Sequence, residues 1–322
     1  MASRYSHGVQ RVLAKLEASI NSENYYEAHQ MYRTLYFRYL SQRKYSELLE
    51  LLYNGSMVLL QHEQHASGAD LGILFINVLT QSGTEPTQSF FEKITSLFSL
   101  MSPASPERET FVQLALKWSV KNTVSNKTGH PDLHQKIAQV FWREKNYIMA
   151  RQHFIHSRDG SGCAAMLVEL HEQRGYMNEI DLFIAQAVLQ YLCLQNKATA
   201  QEAFNSYTSR HPKINSGPPY LLPLLNFLFF LLKTIDSGKL AVFTILCEQY
   251  QISLNRDPYY RQYLDKIGQL FFNIPPPRPR NQGLFGSLLQ SFFNGLEDDD
   301  SDEEQRNAAS TSHAAQDAQE LD

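Results

Sequence analysis

The chain has 322 residues, 43% of them hydrophobic and 12% aromatic, which excludes a mainly disordered protein and leaves two domains or one elongated array. Its formal net charge of −4 averages two unlike regions: residues 295–322 carry −9 and residues 1–294 carry +5. Three widely spaced cysteines (Cys163, Cys193, Cys247) with no Cys-x-x-Cys pair exclude a disulfide framework and a thiolate metal site, and predict buried structural thiols.

The chain starts Met1-Ala2-Ser3-Arg4-Tyr5-Ser6-His7 without the apolar core of a signal peptide. Its longest apolar run, residues 220–232, contains Pro223 and Asn226 and falls short of the roughly 18–20 residues needed to span a bilayer. The expectation is a soluble, reduced, intracellular protein.

From residue 9 onward, helical periodicity dominates. Val9, Val12, Leu13, Leu16 and Ile20 lie on one helix face. So do Phe90, Phe91, Ile94, Leu97, Phe98 and Met101, and then Phe111, Leu114, Ala115 and Trp118. Ile180, Phe183, Ile184, Ala187, Val188, Tyr191 and Leu192 form a fourth such face. Ser105-Pro106-Glu107-Arg108-Glu109 predicts a Ser cap with Pro at the first helical position. Gly160-Ser161-Gly162-Cys163 reads as a turn opening a helix over 164–170, not as a nucleophile elbow, because no strand precedes it. About fourteen helices of roughly 12–20 residues, joined by connections of about 2–8, account for the pattern.

A weak internal repeat organises these helices. Asn24-Tyr25-x-x-Ala28-x-x-x-Tyr32 recurs as Asn146-Tyr147-x-x-Ala150-x-x-x-Phe154, with looser copies from Lys44 and Asn196. It resembles the second helix of a tetratricopeptide unit, although no fixed 34-residue period holds. The fold class expected is all-α: an α-solenoid of degenerate tetratricopeptide-like helical hairpins. Past residue 274, Pro275-Pro276-Pro277-Arg278-Pro279-Arg280 predicts a stiff spacer. The apolar residues 283–293 follow, suited to docking in a groove of the solenoid or of a partner, with a membrane anchor as the less favoured reading. Residues 297–322 read as a disordered acidic tail.

Catalytic chemistry finds little support. His130 and His134 lack the general-base Glu of a His-Glu-x-x-His site, and His62 and His65, and His153 and His156, have no acidic third ligand nearby; all read as surface or capping residues. Phosphate-loop and dinucleotide signatures are missing, so neither metal nor cofactor is expected. No dense Lys/Arg stripe marks a nucleic-acid interface; Arg33, Arg38, Arg43 and Lys44 instead give a basic, Tyr-rich helix surface suited to an acidic protein partner, or an ordinary solvated face.

Several stretches together resemble the Golgi to ER traffic protein 4 family. They are residues 24–35, Ser67-Gly68-Ala69-Asp70-Leu71, Leu114-Ala115-Leu116-Lys117-Trp118-Ser119, Gly129-His130-Pro131-Asp132-Leu133-His134, and residues 242–251 and 263–272. The likeness runs from about residue 8 to 293 and excludes the acidic tail. It implies a non-catalytic cytosolic scaffold of the guided-entry pathway for tail-anchored membrane proteins. The partners it implies are the pathway's targeting ATPase at the N-terminal helices, and a large proline-rich Bag-family protein or a ubiquitin-like adaptor at the C-terminal half. The resemblance puts Arg11, His29, Arg33 and Asp70 on the ATPase-facing surface, with Asp70 opening a later helix. Phe227, Phe229, Phe230 and Phe243 exceed what one buried stripe needs and are the adaptor-facing candidates, with simple core packing as the competing reading. The boundaries expected are a flexible 1–7, an ATPase-docking half over 8–155, an adaptor-binding half over 156–274, the spacer and apolar segment over 275–296, and the tail. The alternative is a tetratricopeptide-like subunit of another assembly, such as a proteasome-lid-type or trafficking complex.

Overall fold

The computed structural model describes residues 2–120, 128–215 and 217–275, with side chains from residue 10 onward. The apolar segment 283–293 and the acidic tail 297–322 lie outside the described residues, as does the spacer beyond Pro275. Among the described residues there are fifteen α-helices and no strand. The first eight are α1 (Ala2–Asn21), α2 (Tyr25–Ser41), α3 (Tyr45–Gln61), α4 (His65–Gln81), α5 (Gln88–Leu100), α6 (Glu107–Ser119), α7 (Pro131–Arg143) and α8 (Tyr147–Ile155). They continue as α9 (Gly160–Arg174), α10 (Ile180–Cys193), α11 (Lys197–Arg210), α12 (Pro223–Ser237), α13 (Leu240–Gln249), α14 (Gln251–Leu254) and α15 (Tyr259–Phe272), with a 3₁₀ turn at Met177–Glu179 before α10. Three helices, α8, α13 and α14, are shorter than the expected 12 residues.

All described residues except Thr128 belong to one packed unit. Most helices pack on a chain neighbour or on the next helix but one: α1 on α2, α3 on α4, α4 on α6, α5 on α7, α7 on α8, and α9 on α11. This ladder of local contacts is the α-solenoid. The longest return among its main pairings is α15 on α10.

The repeat marks the turn by which a helix is entered. Its four copies open α2, α3, α8 and α11, and their small and aromatic positions (Ala28, Tyr32, Ala150, Phe154, Ala200, Phe204) are all buried. The residue before each copy is left-handed: Glu23, Arg43, Lys145 and Gln195 have φ between 56° and 60°. At the first of these turns Glu23 N–H donates to Ile20 C=O at 3.0 Å and Asn24 N–H to Ser19 C=O at 2.8 Å, the paired bonds of a Schellman motif. The same pair recurs at Arg43/Lys44, Lys145/Asn146 and Gln195/Asn196. Each following residue then accepts the first bond of the next helix, as Asn24 C=O does from Ala28 N–H at 3.1 Å. A further copy of this turn sits at Glu63/Gln64, entering α4. It escaped the sequence pattern because glycines, Gly68 and Gly72, occupy both signature positions. Turns at 24, 44 and 64 therefore give a local period of 20 residues, one helix with its connector.

Two helix starts differ from expectation. Helix α9 begins at Gly160, because the Asp159 side chain accepts from Gly162 N–H at 2.6 Å and caps it. Gly160 itself lies in the first turn where α11 crosses: a Cβ there would come within 2.5 Å of Thr199 O. At α6 the N-cap position is Pro106, and the Ser105 hydroxyl bonds the Glu107 carboxylate instead of a backbone amide.

The last helices dock through a polar seam on α10. Asp181, fully buried, accepts from Arg256 Nη1 at 2.7 Å, and the same guanidinium donates to Asn178 C=O within the 3₁₀ turn. Gln190 Nε2 donates to Tyr263 Oη at 3.0 Å. Helix α15 is thereby fixed, and it holds α13 by stacking Phe272 on Phe243, with ring centroids 4.5 Å apart.

Candidate partner-binding surfaces

The first surface is built where α4 reaches back over α3 to α2. Ser56 Oγ donates to Gly68 C=O at 2.7 Å, and a Cβ on Gly68 would sit 2.6 Å from Leu60 Cγ, so glycine is required for this close approach of α3 and α4. The register it sets carries Asp70 to α2. His29 Nε2 donates to Asp70 Oδ2 at 2.7 Å, and Arg33 Nη1 lies 3.3 Å from both carboxylate oxygens. The bond from His29 and, next, the Arg33 charge hold the Asp70 carboxyl below the usual carboxylate range against the opposing effect of burial.

Three of the four residues expected on this surface, 41 positions apart at the extremes, are thus one cluster. Asp70 differs from expectation in place. It lies in the second turn of α4, not at its opening, and its bonds are to bases of its own chain. An acid positioned this way aligns His29 and Arg33. Arg33 keeps 42% of its side-chain exposure, so it still faces solvent. Arg11 is exposed on α1 and, among the described residues, no ion pair joins it to the cluster.

The second surface lies on α12–α14, and there the structure redistributes the expected phenylalanines. Phe227 is fully buried, 5.8 Å from the Tyr250 ring, and Phe243 is buried against Phe272. Both are buried core residues, as the competing reading has them. The reason is the helix period: Leu224, Phe227, Leu228, Leu231 and Ile235 make one continuous inward face of α12. Phe229 is half-buried beneath Lys233, whose Nζ is 4.3 Å from the ring centroid, and Phe230 is exposed. The larger apolar surface is on α13, where only Phe243 and Leu246 are buried and Leu240, Val242 and Ile245 face solvent. Ile252 on α14 is 89% exposed. The signal was present in the run Leu240-Ala241-Val242-Phe243-Thr244-Ile245-Leu246, apolar on every face. A helix of that kind belongs in a core or in an interface.

Of the paired histidines, His62 is exposed and stacked on Tyr25, and His130 caps α7 with its ring accepting from Asp132 N–H, both as expected; His65 and His156 are half-buried. His134 and His153 are buried, with their Nδ1 atoms 3.0 Å apart in a hydrogen bond between α7 and α8. His171 and His211 are a second buried pair, between α9 and the end of α11. Among the described residues no group of three or more His, Cys, Asp or Glu side chains could hold a metal ion. Cys163 and Cys193 are buried and their thiols are pushed up to about 12 by burial; Cys247 is half-buried. Among the described residues no helix is long and apolar enough to cross a membrane.

Comparison with known proteins agrees with this architecture. The family model for Golgi to ER traffic protein 4 matches residues 42–293. The Golgi to ER traffic protein 4 homolog of Oryzias latipes is 55% identical over 298 residues, covering 92% of each chain. The Homo sapiens homolog is 53% identical over 297 residues, covering 92% of this chain and 90% of the other. A crystal structure of C. therm. Get4 superposes with a TM-score of 0.76 at 27% identity, covering 89% of this chain and 96% of that one. With the helical stack, the coverage and the identity in agreement, the chain belongs to the Golgi to ER traffic protein 4 family.

Proposed function

We propose that this chain is a non-catalytic cytosolic scaffold for post-translational delivery of tail-anchored membrane proteins to the endoplasmic reticulum and for quality control of hydrophobic clients. The N-terminal half (8–155) docks the targeting ATPase of the guided-entry pathway. The C-terminal half (156–274) holds a large proline-rich Bag-family protein or a ubiquitin-like adaptor. What supports this reading is that the first and last helices of one stack carry two surfaces of opposite chemistry: the His29–Asp70–Arg33 cluster on α2 and α4, and the apolar face of α13. A charged surface sets encounter and specificity, whereas an apolar one supplies burial, so the two suit different partners.

The ATPase end is tested by Arg33→Glu. The substitution is expected to weaken binding of the purified ATPase at least tenfold, most strongly at low ionic strength. The melting temperature should move little, since a part-exposed pair contributes about 0.2–1 kcal/mol. Unchanged affinity would remove the cluster from the interface.

A further inference from the structure

We infer that Tyr26 and Phe37, on either side of Arg33 along α2, are the apolar anchors of one docking face whose occupant is an acidic protein surface carrying an apolar recess. This rests on the reading that α2 faces the targeting ATPase, and it adds the residues that would supply most of the affinity.

Tyr26, Gln30, Arg33 and Phe37 follow the i, i+4, i+7, i+11 spacing of a single helix face. The structure puts that face in solvent: Tyr26 is 76% and Phe37 61% exposed, and Gln30 is exposed between them. The core has no use for these rings. Helix α2 buries Ala28, Tyr32, Leu35 and Tyr36 on a different face, and that stripe already packs against α1 and α3. Two exposed aromatics about 16 Å apart along the helix axis, with an arginine between them, match the residue types that dominate interface energetics.

Phe37 is also held in place before any partner arrives, its ring meeting Tyr36 edge to face at 5.1 Å. A pre-positioned ring loses little conformational freedom on binding. The sign of the occupant follows from the charges around the stripe. Arg33 and Arg38 lie on α2, and Arg43 and Lys44 follow at its exit. Against them stand Asp70, shared by His29 and Arg33, and the exposed Glu23 and Glu27 at the entry of the helix. The surplus is positive, and an acidic occupant complements it.

The test measures binding of the full chain to the purified targeting ATPase at two ionic strengths, comparing wild type, Tyr26→Ser with Phe37→Ser, and Arg33→Glu. The aromatic double variant is expected to bind at least thirtyfold more weakly, with the wild-type salt dependence and an unchanged melting temperature. Arg33→Glu is expected to alter the salt dependence itself. If the double variant binds as wild type while Arg33→Glu fails, the inference is overturned and the ATPase reading survives. If wild type does not bind the ATPase, that reading falls, and this inference falls with it.

Discussion

Arg256→Ala is expected to destabilise the protein by about 3 kcal/mol, the lower end of the usual cost of orphaning a buried charge, because about a third of the Arg256 side chain remains in water. The cost arises at Asp181. Its Oδ1 has no hydrogen-bond partner and its Oδ2 accepts from the guanidinium, so removing Arg256 leaves a fully buried carboxylate uncompensated. The loss should be local at first. Hydrogen exchange is expected to rise in α13–α15, which dock on α10 through this seam, before it rises in α1–α8. Pairing Arg256→Ala with Asp181→Asn should recover most of the stability, because no charge then remains to be buried. Chemical denaturation of the two variants measures both effects. An unchanged unfolding midpoint for Arg256→Ala would show that the seam does not hold the last helices.

Mild acid is expected to unfold the protein through its two histidine pairs. In the second pair every proton is assigned by its neighbours. Lys213 N–H donates to His211 Nδ1, His211 Nε2–H to His171 Nδ1, and His171 Nε2–H to Tyr176 C=O, so both rings are neutral. A proton added to either ring turns an acceptor into a donor facing another donor. Burial pushes His211 down to about 4. Burial, aided by His156, does the same to His153 beside His134. Because these values lie below the unfolded-state value of about 6.5, the unfolded chain takes up protons first. The stabilisation is therefore complete above about pH 6.5 and is lost as pH falls toward 4. Each group is expected to remove about 2 kcal/mol by pH 5. Melting curves between pH 7 and 5 should show this fall, and His153→Gln with His211→Gln should flatten it. A wild-type melting temperature constant over that range would contradict the buried neutral pairs.

These two devices were illegible in the sequence because their partners are distant in it. His171 and His211 are 40 positions apart, and Asp181 and Arg256 are 75. An exposed helical histidine and a buried one look alike until the facing helix is known. The solenoid was legible because its turns are local: Asn24-Tyr25 and Asn146-Tyr147 carry the left-handed connector and the small residue that admits the next helix. The copy at Gln64 shows the limit, since glycines that allow close approach also erase the pattern. His29, Arg33 and Asp70 came from family resemblance, and only the packing of α4 across α3 makes them a cluster. Four phenylalanines near one another could not reveal which face α12 buries. The outward face of α13 is legible in the near-continuous apolar run from Leu240 to Leu246, which the larger rings of α12 outweigh in a search by residue type.

The decisive measurement is simultaneous occupancy. The full chain is combined with the purified targeting ATPase and the purified Bag-family protein, and complex masses are read by light scattering after size exclusion. The expected result is one complex containing all three. Arg33→Glu should remove only the ATPase, and Ile245→Asp on the exposed face of α13 should remove only the Bag-family protein. Competition between the two partners for the chain, or failure of both to bind, would contradict a scaffold that works from its two ends.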